Sequence, residues 1–173
     1  MMNNSKFQVP NSKFSRGFTL VELILYIAIV TMFMTGVIYF TSDIVYGRVR
    51  SQVHQEVNQN MRLAVKIIMY EIRNASGVNS VSASSISLAS TDAGRNPTVI
   101  DRDVSSGRLR IGYGGNQYFL TSNKVTVTAL NFTDFSTAGS TNVRFSITIE
   151  ATGDRQEFQK SETYETSVEL RSQ

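Results

Sequence analysis

The residues best placed to do chemistry lie together near the N-terminus: Gly17, Phe18, Thr19, Leu20, Val21, Glu22 and Leu23. They open an apolar stretch from Phe18 to Phe40, 23 residues in which Glu22 is the sole charged side chain. A charge near the middle of a membrane-crossing helix costs about 2.5–3.5 kcal/mol on insertion scales, so a carboxylate kept in such a stretch points to function and to a partner. The stretch is long enough to cross a hydrocarbon layer of ~30 Å at a rise of ~1.5 Å per residue. Residues 1–16 carry Lys6, Lys13 and Arg16 and no acid. A basic flank of this kind puts the N-terminus in the cytoplasm and the C-terminal bulk outside. A cleavable secretory signal would have a shorter apolar core followed by a small-residue cleavage site. Here Thr35 and Gly36 fall inside the run and Tyr39 and Phe40 close it, which favours a retained helix.

The string from Arg16 through Gly17, Phe18 and Glu22 to Leu23, followed by a membrane-length helix, resembles the prepilin leader of type IV pilins and type II secretion pseudopilins. The resemblance implies that a membrane-embedded prepilin peptidase cuts between Gly17 and Phe18 and N-methylates the new Phe18 terminus. It makes Glu22 the fifth residue of the mature chain. It also implies that Glu22 faces the Phe18 amine of a neighbouring subunit and sets register during filament assembly. Physical chemistry is consistent with this, since two charges that are each costly to desolvate compensate when they meet in a low dielectric. Within one helix the two residues are about one turn apart, so an internal pair is geometrically allowed as well.

The partners implied are the prepilin peptidase, other pilin or pseudopilin subunits, an inner-membrane assembly platform and membrane lipid. The location implied is the cytoplasmic (inner) membrane, single-pass, and then a pilus or pseudopilus filament. The organisation that follows is a leader over 1–17, a membrane and filament-core helix over 18–40, an amphipathic continuation over 41–75, and a β-rich outer domain over 76–173. The run from Met61 to Leu63, the run from Tyr70 to Ser76 and the ending from Ser167 to Arg171 resemble the larger minor subunits, the J-type pseudopilins and W-type minor pilins. A competence pilin and a membrane-anchored binding or sensor domain that never polymerises are the alternatives.

Charge narrows the choice further. The chain has 17 basic and 14 acidic residues; the leader holds three of the basic ones and no acid, so its removal leaves 14 of each. The basic isoelectric point therefore belongs mostly to the leader, and net charge gives no footing for direct nucleic-acid binding. The pairs Arg48/Arg50 and Arg108/Arg110 are expected to be solvated or to face acids. Cysteine is absent, which removes disulfides, thiolate zinc sites and thiol nucleophiles. Many pilins staple a C-terminal loop with a disulfide, and this chain departs from that pattern.

No catalytic constellation, cofactor site or metal site emerges. His54 stands alone on a helical pattern. Asp101, Arg102 and Asp103 read as an exposed turn, although some pseudopilins bind calcium and several oxygen ligands would be needed for that. The run Gly112, Tyr113, Gly114 and Gly115 lacks the strand-to-helix context of a phosphate loop. No enzymatic activity is expected.

The elements that position the N-terminal motif follow from periodicity. From Thr41 to about Ala75 there is no proline, and Gly47 is the sole glycine, so the helix is expected to continue to Asn74–Gly77. Gly36 and Gly47 are its candidate soft points. Met61, Ala64, Val65, Ile68 and Ile72 form the face expected to pack on the chain's own domain. Leu63, Ile67 and Tyr70 lie opposite and need another partner or stay partly exposed. The remainder is β in character. Val143, Phe145, Ile147 and Ile149 alternate with polar residues, as do Tyr164, Thr166, Val168 and Leu170. Residues 109–113 and 118–120 flank a hairpin turn at Gly114, Gly115 and Asn116. The apolar phase slips near Ala129, predicting a β-bulge. Val81 to Leu88 reads as one weak strand, and Ser90 to Asp103 as a loop. The fold class is α+β and pilin-like: a long N-terminal helix, membrane-spanning in its first half, packed on an antiparallel sheet domain.

Overall fold

The computed structural model describes residues 17–137, 139–153 and 159–171. Two compact units divide the chain, Met1–Val45 and Tyr46–Gln173. A single helix, α1 (Leu20–Asn74, 55 residues), supplies residues to both.

In the first unit, the described residues from Gly17 to Val45 are exposed apart from half-buried Ser42. A helix this apolar with so little of it covered by its own chain requires a non-aqueous surrounding or a protein partner. Its hydroxyls turn inward along the backbone: Thr31 donates to the Ala28 carbonyl, Thr35 to Thr31, Thr41 to Val37 and Ser42 to Ile38, at 2.8–3.0 Å. These bonds satisfy polar groups that lipid could not.

In the second unit, α1 buries Val57, Asn60, Met61, Ala64, Val65, Ile68, Glu71 and Ile72, a stripe with three- and four-residue spacing. It packs on antiparallel sheets. One sheet is a five-stranded meander of β1 (Gly77–Ser82), β2 (Ser85–Ala89), β3 (Thr98–Arg102), β4 (Leu109–Tyr113) and β5 (Asn116–Phe119). The other is three-stranded, with β7 (Asn142–Ala151) between β6 (Val125–Asp134) and β8 (Ser161–Glu169). The helix stripe and the inward residues of both sheets form one core, with Ile86, Leu88, Ile100 and Ile111 from the first and Val127, Phe145, Ile147 and Ile149 from the second.

The expected helix face, the end of α1 at Asn74, and the alternation of β7 all appear in the structure. The hairpin turn sits on Gly114 and Gly115, whose φ angles of 54° and 96° explain why glycine is needed there. The bulge lies between Val127 and Ala129. Of the three apolar residues expected opposite the packed face, Leu63 and Tyr70 are exposed, but Ile67 packs partly against the core.

Three expectations are corrected. Val81 to Leu88 is not one strand but parts of the β1–β2 hairpin, because Ala83 and Ser84 turn the chain without glycine or proline to announce it. The segment from Ser90 to Asp103 is not a loop throughout. A short 3-10 turn over Ala93–Arg95 leads into β3, which pairs on both sides and buries Thr98 and Ile100. Likewise Tyr164 of β8 remains 40% exposed, so that strand's alternation yields one buried residue, Val168.

Phe145 is fully buried, with the rings of Phe132 and Tyr164 at 6.2 and 6.5 Å. Phe145→Ala is expected to cost about 3–5 kcal/mol through lost transfer energy and an unfilled cavity. Urea unfolding of the full chain in detergent, followed by tyrosine fluorescence, should show a lower midpoint with an unchanged slope.

Candidate processing and assembly segment

Gly17, Phe18 and Thr19 precede α1 without helical structure. Thr19 is the cap: its carbonyl accepts the first helical bond from the Leu23 amide at 3.1 Å, and its Oγ1 accepts from the Glu22 amide at 3.3 Å. The first amides of a helix have no partner within it, and a threonine hydroxyl three residues ahead supplies one. Thr19 and Glu22 thus stand at the spacing of a capping box. Glu22 occupies the first turn, where the helix dipole favours a negative charge. The acid belongs here for a local reason as well as for any partner outside the chain.

The arrangement leaves the Gly17–Phe18 bond ahead of the helix. Phe18 is 80% exposed, and a Cβ added to Gly17 would meet nothing within 4 Å. Nothing in the chain itself demands glycine at this position. Among the described residues, no hydrogen bond or ion pair engages the Glu22 carboxylate. Lys6, Lys13 and Arg16 lie outside the described residues. Sequence reasoning passed over Thr19 as a cap, although the Thr-x-x-Glu spacing was there to be read.

The other candidates disperse. His54 is exposed on α1. The segment from Asp101 to Asp103 is a strand end, not an exposed turn, and its carboxylates are engaged. Asp101 accepts from Arg110 Nη2 at 2.6 Å and Nε at 2.9 Å. Asp103 accepts from the Ser106 and Ser105 hydroxyls at 2.6 and 2.7 Å and stands 3.6 Å from Arg110. The two serine hydroxyls, with the Ser106 amide, lower the Asp103 carboxyl to about 2. Among the described residues, no group of three or more His, Cys, Asp or Glu side chains could hold a metal ion. Arg110 faces acids as expected, whereas Arg108 bonds the Thr121 carbonyl and lies 4.2 Å over the Phe119 ring.

One polar cluster had no sequence signal, because Glu71 reads as an ordinary helix-surface charge. It is 8% exposed, and its Oε1 accepts from Arg95 at 2.6 Å and from the Tyr113 hydroxyl at 2.8 Å. Arg95 also lies 4.5 Å over the Tyr113 ring. The cluster ties the Ala93–Arg95 turn and β4 to α1. Burial, with the bond to Glu71, pushes the Tyr113 hydroxyl from its ordinary value of 10.0 up to about 12. The folded state therefore holds the proton more tightly than the unfolded state. Its stabilising contribution is complete below pH 10 and is lost as pH rises through about 12. The wild-type chain should lose stability across that window more steeply than Tyr113→Phe does, as read by urea midpoints at a series of pH values.

The prokaryotic N-terminal methylation motif matches residues 12–38, spanning the Gly17–Phe18 bond, Thr19, Glu22 and the apolar part of α1. That motif, followed by a long apolar helix, fits a type IV pilin or pseudopilin N-terminus. No curated protein and no solved structure matches it. The motif supports a pilin-type subunit processed by prepilin peptidase, and it implies assembly with other pilin subunits. Among the described residues, α1 is the one helix long and apolar enough to cross a membrane; with the pilin motif, it suggests membrane anchoring. A pilin-type structural family is typically non-enzymatic.

Proposed function

We propose that this chain is a minor structural subunit of a type IV pilus or type II secretion pseudopilus, without catalytic activity of its own. Prepilin peptidase cuts between Gly17 and Phe18 and methylates the Phe18 amine. The mature chain then rests in the inner membrane through residues 18–40, with the β-rich domain outside, until the assembly platform draws it into a filament. Glu22 meets the Phe18 amine of a neighbouring subunit and sets the register of addition.

The observation that carries this reading is the coincidence of the methylation motif with the start of α1. The Thr19 cap begins the helix two residues after the scissile bond, leaving that bond exposed. Removing the leader also removes the three basic residues that precede the helix, which makes the retained chain neutral in formal charge. Shearing filaments from host cells and probing them for this chain tests the assembly role. A minor subunit appears there in small proportion to a major pilin and cross-links to it; a chain confined to the membrane fraction refutes assembly.

A further inference from the structure

In the Tyr46–Gln173 unit, a groove of about 1070 Å³ runs between α1 and β8. It is lined by Arg62, Lys66 and Arg73 of α1, by Arg171 just after β8, and by Tyr70 and Tyr164. The two tyrosines are 56% and 40% exposed. Two carboxylates, Glu162 and Glu169, share the lining, so it is net cationic; Glu169 already accepts from Ser140 at 2.6 Å. Among the described residues, none of the four cations is paired with an acid, whereas Arg95, Arg110, Lys124 and Arg144 all are. β8 is the outer strand of its sheet, so one side of its main chain has no strand partner among the described residues.

We propose that this groove receives an acidic, extended segment of a different protein chain, laid along α1 and hydrogen-bonded to the open edge of β8. The acid follows from the uncompensated cations, since electrostatic complementarity selects partners and fixes their register. The extended form follows from the open edge, which offers N–H and C=O groups to an added strand. The length agrees as well. The part of α1 that borders the groove, Asn58 to Asn74, runs about 24 Å and matches about seven residues of extended chain.

A second copy of this chain is a poor occupant. Its two most acidic runs hold three acids in eight residues, at Glu150–Glu157 and Glu162–Glu169, and the second run already lines the groove from its own side. Two of its carboxylates, half-buried Glu56 and exposed Glu165, are already paired with Lys124 and Arg144. The inference rests on this surface and does not depend on filament assembly.

The test places a photo-crosslinker at position 70 (Tyr70→benzoylphenylalanine) in the full chain, in membranes of its host. Irradiation should give an adduct to a different chain, mapped by mass spectrometry to a segment with three or more acids within about seven residues. Adding Arg62→Glu and Lys66→Glu should cut the yield about tenfold, and Arg62→Gln with Lys66→Gln should cut it less. Both positions are exposed, so the urea midpoint should not move. An adduct to a second copy, to lipid alone or to an acid-poor segment overturns the proposal. So does the absence of any adduct, or a yield indifferent to charge reversal. Leader removal read in the same sample judges the processing reading separately.

Discussion

A chain carrying Gly17→Val is expected to remain uncut in the membrane, with processing slowed about a hundredfold or more. Displacements of about 1 Å at a scissile bond have effects of that size. The chain itself is indifferent to the change. Gly17 is exposed, is not held in a left-handed conformation, and a Cβ there would touch nothing. The helix would still begin at Leu20 under its Thr19 cap. Whatever Gly17→Val does to processing must therefore arise in the peptidase, which must approach the backbone closely where glycine leaves room. A pulse-chase in the host, with the leader followed by gel mobility, measures the rate. Normal processing of the variant would place the cut elsewhere.

The second large effect is expected at Glu22. Glu22→Ala removes a charge that would cost about 2.5–3.5 kcal/mol at the centre of a membrane helix and costs less in its first turn, so insertion should be as efficient as before or better. Assembly should fall about a hundredfold to a few thousandfold, because an amine left in a low-dielectric contact without its acid costs about 3–5 kcal/mol. Glu22→Gln separates the two roles that the geometry allows. Glutamine can still serve the capping box, which uses a side-chain oxygen at this position, but it carries no charge. If pairing across subunits is what matters, Glu22→Gln fails to assemble as Glu22→Ala does. If only the cap matters, it assembles normally. The amount of each variant in sheared filaments, relative to membrane-bound chain, decides between them.

Much of this was legible in the residues. The Gly17 to Leu23 string carried the methylation motif, and the spacing of Met61, Ala64, Val65, Ile68 and Ile72 located the buried helix face. The alternation of β7 was visible because four large apolar residues mark it. Other features failed to register for physical reasons. β3 hid behind Gly94, Asn96 and Pro97, all turn formers, and one of its inward residues is a threonine rather than an aliphatic. The β1–β2 turn uses alanine and serine, without the glycine, proline, asparagine or aspartate that marks a turn most strongly. Glu71 gained its role from Arg95 and Tyr113, distant in sequence and brought near only by the fold. At the N-terminus the acid drew notice as a membrane anomaly, and its service to the helix start became evident once Thr19 was placed.

The most direct test is the intact mass of the chain recovered from the membranes of a host that has prepilin peptidase. The account predicts a mature chain that begins at Phe18, lacks residues 1–17 and carries one methyl group on its terminal amine. A chain that retains Met1 with Phe18 unmodified, or one cut at any other bond, would contradict it.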